Sequence, residues 1–444
     1  MAPVSRFVLA RRTASFRTLR HAERVCRVAA IWRFVLIVGG VLVGSVLALH
    51  SVSIAGDDWN QWRGSERNGS VTGAGWPTQL EGKLEKVWEH KLSPSYSGPV
   101  VQDGKVFTTE TIDKTTERVT AYDLASGDQL WTQEWPGSLS VPFFAAANGD
   151  WIRSTPVSAP GSLVVLGMRD RLVHLDTETG DVRWDIDFPE KFKTPLQPFG
   201  AACSPLIHDN AVFVQLGGGL TKVDLTSGEV RWTVLGGGGD MSSTGAFSSP
   251  TVATLCGVEQ LLVQTREKLC GVALDSGEVL WSEAIEAFRG MNILTPLAIG
   301  DSVFTAAHTG VSQLFDISRE QDQWRVSERW VQKTQGYMSS PVRVDDFIYL
   351  HLKNERVACL SIADGTIEWT SPPVGKYWSM AHDGAHILSL ASDGVLRLLD
   401  ATPEKYTVID QTKVADDSWA HIAVQDNLVI VRALDGLTAY RWNK

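Results

Sequence analysis

The chain has 444 residues, of which 43% are hydrophobic and 21% charged, so it is long enough to bury a large core. Residues 1–55 hold eight of the 41 basic residues and one of the 51 acidic ones, which leaves the remaining chain with 33 basic and 50 acidic residues, a net charge of −17. This acidic balance argues against nucleic acid or an anionic membrane surface as a partner, because both are bound through basic patches.

The first 55 residues predict an export signal or a membrane anchor. Eight Arg residues lie between positions 6 and 33, and no charged residue follows from Phe34 to Leu49. Ser53 and Ala55 are the small residues that a signal peptidase requires. The apolar stretch reaches the ~20 residues of a spanning helix only if it continues to Ala55. Cleavage after Ala55 and inner-membrane anchoring through residues 34–55 both place the remaining chain in the periplasm or cell envelope.

A polar, Gly-rich segment, residues 56–83, follows the leader. It contains Trp59, Trp62, Arg63 and Gly64. We expect its two indoles, three residues apart, to pack this segment as an arm against the domain that follows.

From residue 84 to residue 444 the chain is organised by a repeat, first seen complete at Asp123, Gly127 and Trp131. Gly supplies the positive φ of a tight turn, and the Asp side chain accepts hydrogen bonds from amides of the same turn. The Trp then lies on the last strand of its unit, where it can pack against the next unit. Two further complete copies keep the spacing of four residues between each pair: Asp176, Gly180 and Trp184; Asp224, Gly228 and Trp232.

Weaker copies continue to the end of the chain. Their docking positions are Trp281, Trp324, Trp369 and Val408, and Trp88 precedes the first complete copy. Each interval of about 45 residues has room for three further strands, which is typical of a propeller blade. The sequence therefore predicts an all-β, eight-bladed β-propeller of four-stranded antiparallel blades. The strand around Trp88 is expected to complete the last blade and to close the ring.

Cysteine usage predicts no disulfide. Cys256 and Cys270 are closest in sequence after the leader, but they fall on the first and third strands of one blade, ~9.6 Å apart. A disulfide requires Cα atoms within about 7 Å.

The Ala-x-Asp-x-x-Ser/Thr-Gly-x-x-x-Trp copies, their period and the Trp59-x-x-Trp62-Arg63-Gly64 segment resemble the PQQ-like repeat propellers over about residues 57–444. That family includes quinoprotein alcohol dehydrogenases and BamB-type outer-membrane assembly factors. The enzyme branch implies pyrroloquinoline quinone (PQQ) and calcium in the channel, under a disulfide between adjacent cysteines. This chain has neither a Cys-Cys pair nor a Cys-x-x-Cys-His motif, and none of that branch's site residues could be matched.

The assembly-factor branch implies a non-enzymatic scaffold that binds a partner chain through loops or a strand edge. We therefore expect an exported, monomeric scaffold of the cell envelope with a protein partner, no cofactor, and membrane contact only through its N-terminal segment. The absence of a Cys directly after the apolar stretch departs from a lipid-anchored factor. The alternative is a PQQ-dependent dehydrogenase with a divergent site.

Candidate binding residues lie on the long loops that join one blade to the next, because such loops open on one face and carry function. Arg153, Tyr337, Trp378 and Trp419 are the candidates for the channel mouth. The alternative is that these aromatic side chains only fill the top of the ring. Arg153 fits that alternative least well, since a buried charge requires a partner.

The remaining motifs favour structural roles. His382, His386 and His421 form the only group that resembles metal ligands, but they lie in predicted strand and turn, which favours structural histidines. The run from Gly236 to Gly239 lacks the Lys-Ser/Thr of a phosphate-binding loop. We predict neither a metal site nor a nucleotide site.

Overall fold

The computed structural model describes residues 58–72 and 75–443. Within them the chain forms eight four-stranded antiparallel sheets arranged as a propeller, which confirms the predicted all-β, eight-bladed fold. The predicted leader, residues 1–55, lies outside the described residues. In the described part of the chain, no helix has the length and apolar character that crossing a membrane requires.

Strand β1 (Leu84–Lys91) precedes the first complete blade. Each of blades 1 to 4 is a meander of four consecutive strands. Their bounds are β2 (Val100–Gln102), β3 (Lys105–Ile112), β4 (Thr116–Asp123) and β5 (Gln129–Pro136); β6 (Val157–Ala159), β7 (Ser162–Leu166), β8 (Arg171–Leu175) and β9 (Val182–Asp187); β10 (Leu206–His208), β11 (Ala211–Leu216), β12 (Gly219–Asp224) and β13 (Val230–Val234); β14 (Thr251–Leu255), β15 (Val258–Gln264), β16 (Lys268–Val272) and β17 (Val279–Ala284).

Blades 5 to 8 continue this order, and blade 8 has three strands of its own. The bounds are β18 (Leu297–Ile299), β19 (Ser302–Ala306), β20 (Ser312–Glu320) and β21 (Gln323–Gln332); β22 (Val342–Val344), β23 (Phe347–His351), β24 (Val357–Ser361) and β25 (Ile367–Thr370); β26 (Ser379–His382), β27 (His386–Leu390), β28 (Val395–Asp400) and β29 (Val408–Lys413); β30 (Ala423–Gln425), β31 (Leu428–Ala433) and β32 (Gly436–Trp442). The helical elements among the described residues are α1 (Phe188–Phe192) and two 3-10 turns, Phe143–Asn148 and Phe288–Gly290.

Ring closure follows the sequence prediction. β1 pairs antiparallel with β32, from Leu84 opposite Trp442 to Lys91 opposite Gly436, and so becomes the outermost strand of blade 8. The first described strand is thus hydrogen-bonded to the last one, and the ladder itself closes the ring.

The repeated Asp, Gly and Trp fasten neighbouring blades together. The side chain of Asp123 accepts hydrogen bonds from the amides of Ala125 and Ser126 at 3.0 and 2.8 Å, which fixes the turn. Gly127 in that turn has a φ of +79°, and a Cβ added there would lie 2.6 Å from the Trp88 ring. Only glycine therefore allows the indole to approach this closely.

The indole N–H groups complete this contact. Each donates to a backbone carbonyl in the turn of the next blade: Trp88 to Leu124 at 2.9 Å, Trp131 to Thr177 at 3.0 Å, Trp184 to Leu225 at 2.7 Å, Trp232 to Asp275 at 2.9 Å and Trp369 to Thr402 at 2.8 Å. Trp281 differs, since its indole donates to Gln260 of its own blade at 2.7 Å.

In blade 5 the docking residue is Trp330, where the sequence spacing predicted Trp324. Trp330 lies opposite Leu314 just before a bulge, the register that Trp131 has opposite Ala121. Its indole donates to Ile362 at 2.9 Å. β20 and β21 are longer than the corresponding strands of the other blades. The repeat spacing counted from Asp316 therefore reached Trp324, which lies in the same hairpin but close to its turn. There Trp324 lies under the Arg319 guanidinium, 5.3 Å from its ring centre.

The cysteines of the described residues are all free thiols, in agreement with the prediction of no disulfide. Three of them are buried in blade cores and Cys256 is partly exposed. Burial raises the pKa of the Cys203, Cys270 and Cys359 thiols to about 12, so these groups remain protonated.

Candidate functional site

The blade-connecting loops surround a cavity of about 720 Å³, which we call the funnel. Loops from all eight blade junctions contribute to its wall. Aromatic and sulfur-containing side chains form a large part of that wall: Tyr96, Phe144, Phe199, Met241, Phe247, Phe288, Met291, Met338, Tyr377, Trp378 and Trp419. Its volume lies within the ~300–1,000 Å³ that is typical of ligand pockets.

A belt of Ser and Thr hydroxyls runs along the funnel from blade 1 to blade 6. Each belt residue directly precedes the proline that opens an inner strand, and its hydroxyl accepts the backbone N–H of its counterpart in the preceding blade. The links run from Gly98 to Thr155 at 3.0 Å, Thr155 to Ser204 at 3.0 Å, Ser204 to Ser249 at 2.9 Å, Ser249 to Thr295 at 3.1 Å and Thr295 to Ser340 at 3.1 Å. The belt satisfies buried amides that no ladder reaches.

The N-terminal arm closes the funnel from below. Val101 of blade 1 donates its amide to Trp59 of the arm at 2.8 Å, and His382 of blade 7 donates to Gly69 at 2.8 Å. Arg67 donates to Ser204 and Pro205 of blade 3, at 3.0 and 2.8 Å, while Arg63 donates to Pro341 of blade 6. Contacts with blades on opposite sides of the ring place the arm across the channel. Trp62, which is buried, forms part of the funnel floor.

Two buried guanidinium groups lie next to this floor. Arg63 and Arg67 are 2% and 3% exposed, and their guanidinium carbons lie 5.4 and 5.6 Å from the Trp62 ring centre. Their hydrogen-bond acceptors are backbone carbonyls and the side chain of Gln61, and neither has an ion-pair partner among the described residues. Burial lowers the pKa of Arg63 to about 9 and that of Arg67 to about 10, so both still carry positive charge at neutral pH.

Three further arginines contribute to the wall. Arg266 donates to the carbonyls of Gly290 and Arg289, at 2.6 and 2.9 Å, and lies 4.3 Å from the Phe247 ring centre. Arg153 donates to Gly149 at 2.9 Å. Burial lowers the pKa of both Arg153 and Arg266 to about 10. Arg289 is exposed, with its guanidinium carbon 5.1 Å from the Phe288 ring centre.

No Asp or Glu of the described chain lines the funnel, and none forms an ion pair with these wall arginines. Asp150 attracts Arg153 and Asp240 attracts Arg266 electrostatically, but neither carboxylate forms an ion pair or hydrogen bond with its arginine. The backbone of Val141 and the ammonium group of Lys114 already bind Asp150, at 2.9 and 3.9 Å. The funnel is therefore a cationic, aromatic cavity in an acidic protein.

Three of the four predicted candidates line the funnel: Arg153, Trp378 and Trp419. Tyr337 lies one ring further out, 5.5 Å from Tyr377 between ring centres, and Tyr377 in turn lies 3.7 Å from Trp419. Sequence reasoning missed Arg266 and Arg289, because a hairpin turn and a short 3-10 turn carry them.

The histidines that resembled metal ligands do not meet in one site. His421 packs against Trp62 with 5.3 Å between ring centres, and burial lowers its pKa to about 3. His382 is buried, with its pKa lowered to about 4 by burial, and His386 contacts Asp383 at 3.2 Å. In the described residues the group with metal-ligand spacing is instead His208, Asp209 and Glu259, which lies outside the funnel wall.

Comparison with known proteins identifies the family. The model of a family described as "Outer membrane protein assembly factor BamB" matches residues 79–148 and 115–371, which together span more than half of the chain. The chain belongs to this family. BamB of Moranella endobia is 20% identical over 317 residues, covering 66% of this chain and 73% of that protein. BamB of Yersinia pestis is 22% identical over 262 residues, covering 57% of this chain and 61% of that protein.

Solved structures share the fold of this BamB-family chain. BamB from Moraxella catarrhalis superposes with a TM-score of 0.59 at 14% identity, covering 81% of this chain and 98% of that one. A europium-containing methanol dehydrogenase superposes with a TM-score of 0.50 at 10% identity, covering 87% of this chain and 98% of that one. Because both branches of the PQQ-like family share this propeller, the fold alone does not choose between scaffold and enzyme.

Proposed function

We propose that this chain is an exported, non-enzymatic scaffold of the cell envelope that binds a protein partner at the funnel face. The observation that carries the proposal is a rim of exposed apolar side chains around the funnel mouth. Phe143 is 90% exposed, and Phe144, Met241 and Phe288 are also exposed. Exposed apolar groups that cluster at one site mark interaction surfaces.

The rim is continuous with the wall. Ring contacts lead from Phe143 to Phe144, Phe199 and Phe247, with 5.6, 6.1 and 5.8 Å between successive centres. A partner that covers the rim would bury several aromatic rings together, and clustered aromatic contacts dominate the binding free energy of many interfaces. The relatives named for outer membrane protein assembly support a role in the envelope.

The alternative, a PQQ-dependent dehydrogenase, requires a calcium site in the channel. Calcium binds six to eight oxygen ligands, mostly carboxylates and carbonyls. The described funnel wall contains three guanidinium groups and no carboxylate, and two further guanidinium groups lie next to its floor. These residues therefore do not fit a calcium ion. A carboxylate to act as catalytic base is likewise missing from that wall.

The test is site-specific photo-crosslinking of the full chain in its host. A photoreactive residue at Phe288 is expected to crosslink to one identified envelope protein, and Phe143→Asp in the same chain should abolish that product. The matched control places the photoreactive residue at Val408, which is exposed on β29 away from the funnel wall. Equal products from both positions would contradict the proposal.

A second arm tests the enzyme directly. The purified chain is mixed with PQQ, Ca²⁺ and primary alcohols, and dye reduction is followed. We expect no turnover above that of PQQ alone, whereas saturable alcohol-dependent reduction would overturn the scaffold assignment.

A further inference from the structure

The described funnel wall carries positive charge that no carboxylate in the wall neutralises. Arg153, Arg266 and Arg289 face or flank the cavity, and no carboxylate of the described chain pairs with them. Arg266 is 3% exposed and uses three of its five N–H donors on backbone carbonyls. A desolvated guanidinium without a direct ion pair is costly, so an anion that enters the funnel gains a strong, charge-assisted contact.

The floor limits what can enter. The arm crosses the channel between opposite blades and Trp62 closes it, so a polypeptide cannot pass through the ring at this level. An internal segment would have to enter, reverse and leave through a cavity of about 720 Å³ that aromatic side chains already narrow. A chain end needs to enter only once. The closed floor therefore favours a terminus over a loop.

Charge then selects which terminus. Arg63 and Arg67 add two positive charges next to the floor, in addition to those of the wall. An amino terminus carries the same sign and would be repelled, whereas a terminal carboxylate offers two oxygens that match the planar guanidinium fork. The aromatic wall supplies an apolar surface for the last side chain.

We propose that the funnel receives the carboxyl-terminal end of a partner polypeptide, with a terminal aromatic residue against the Phe and Trp wall and its carboxylate at the neighbouring Arg266 and Arg289. Arg153 adds positive charge to the same wall. This assignment rests on the proposed function and deepens it, since it names the part of the partner that the scaffold recognises. The rim contacts the partner's folded surface, and the funnel holds its end.

The test is fluorescence polarisation with the purified full chain and a fluorescein-labelled pentapeptide, Gly-Ser-Gly-Ser-Phe. The free acid should bind, and the C-terminal amide of the same peptide should bind about tenfold or more weakly, because it loses the charge-assisted contact. Added salt should weaken binding of the acid and leave binding of the amide nearly unchanged. Equal affinity of acid and amide, or binding of neither, would overturn the proposal.

Variants locate the contact. Arg289→Gln, an exposed position whose replacement leaves the core intact, should weaken binding of the acid several-fold without changing binding of the amide. Arg153→Gln should act in the same direction, and a thermal melting curve of this variant checks that it is folded. The matched control is Arg325→Gln, an exposed position on β21 outside the funnel wall, which should bind as the parent does. Identical losses in Arg325→Gln and Arg289→Gln would contradict a local contact.

One competition separates a chain end from a free aromatic acid. Phenylpropionate carries the same ring and carboxylate without a peptide. We expect phenylpropionate to compete only at a concentration far above that of the peptide. Equal potency would assign the funnel to a free aromatic carboxylate and contradict the chain-end proposal. The photo-crosslinking experiment tests the scaffold function separately. If a partner is crosslinked but the peptide acid and amide bind equally, only the chain-end inference is wrong. If the acid binds selectively but no partner is crosslinked, only the proposed function is wrong.

Discussion

Among individual residues, Asp170 couples the loops that shape the funnel. It is fully buried, and its carboxylate accepts hydrogen bonds from Gln197 at 2.6 Å and from the Gly217 amide at 2.8 Å. The side-chain oxygen of Gln197 accepts a hydrogen bond from the backbone amide of Ala246 at 3.1 Å. One acid thus supports the two loops that carry Phe199 and Phe247.

Burial raises the pKa of Asp170 to about 7, above its unfolded value of 3.8. The folded protein therefore binds one more proton than the unfolded chain between these values. This contribution to stability is fully present below about pH 4 and is lost as pH rises to 7. Its slope approaches 1.4 kcal/mol per pH unit within that window.

We expect Asp170→Asn to remove this slope between pH 5 and 7, because the amide does not titrate. Urea unfolding across that range measures it as the difference between parent and variant. Asp128→Asn, at an exposed turn, is the control and should leave the slope unchanged. A variant with the same pH dependence as the parent would contradict the role of Asp170.

At the level of elements, two Trp residues of the β20–β21 hairpin have different roles, and only one of them docks on the next blade. Trp330 is 8% exposed and packs against the turn of blade 6, where a Cβ on Gly365 would lie 2.6 Å from its ring. Trp330→Ala should cost about 3–5 kcal/mol of unfolding free energy, as expected for a buried aromatic. Trp324→Ala, in the same hairpin, should cost clearly less. Chemical denaturation compares the two, and equal costs would contradict the assignment of Trp330 as the docking residue.

The hydroxyl belt makes a second prediction for these elements. Ser249→Ala leaves the buried amide of Ser204 without its acceptor, so we expect a loss of about 1–3 kcal/mol. Ser327→Ala, an exposed strand position, is the control and should change stability by less than about 0.5 kcal/mol. A belt variant as stable as this control would show that the links are dispensable.

Sequence reasoning succeeded where a local pattern dictates structure. The docking turns at Gly127 and Gly180, with φ values of +79° and +76°, follow from the repeat spacing alone. It failed at Trp324, because strand length in a hairpin depends on how far a ladder extends, which spacing does not encode. The proline after each belt residue is visible in the sequence, but the function of the hydroxyl depends on successive inner strands lying side by side.

Only part of the funnel could be predicted from the sequence, because some of its residues meet through contacts that no local pattern encodes. Long loops and their aromatic residues can be recognised one by one. Arg153 lies on such a loop, and its charge argued against a mere filling role because a buried charge needs a partner. That Arg266 joins it from a hairpin turn, and that the arm closes the floor, depends on contacts between blades far apart in the chain. Such contacts leave no periodic signal.

For the whole molecule, closure of the ring is the decisive contact. β1 contributes the outer ladder of blade 8 and carries Trp88, which docks on the turn of blade 1. Deleting residues 84–92 removes both, exposes the edge of β32 and leaves Gly127 without its indole. Trp88→Ala removes only the dock. We therefore expect the single substitution to cost about 3–5 kcal/mol and to keep a cooperative transition, while the deletion abolishes cooperative unfolding. Differential scanning calorimetry distinguishes these outcomes, and a deletion variant that melts like the parent would show that the ring does not depend on its terminal strand.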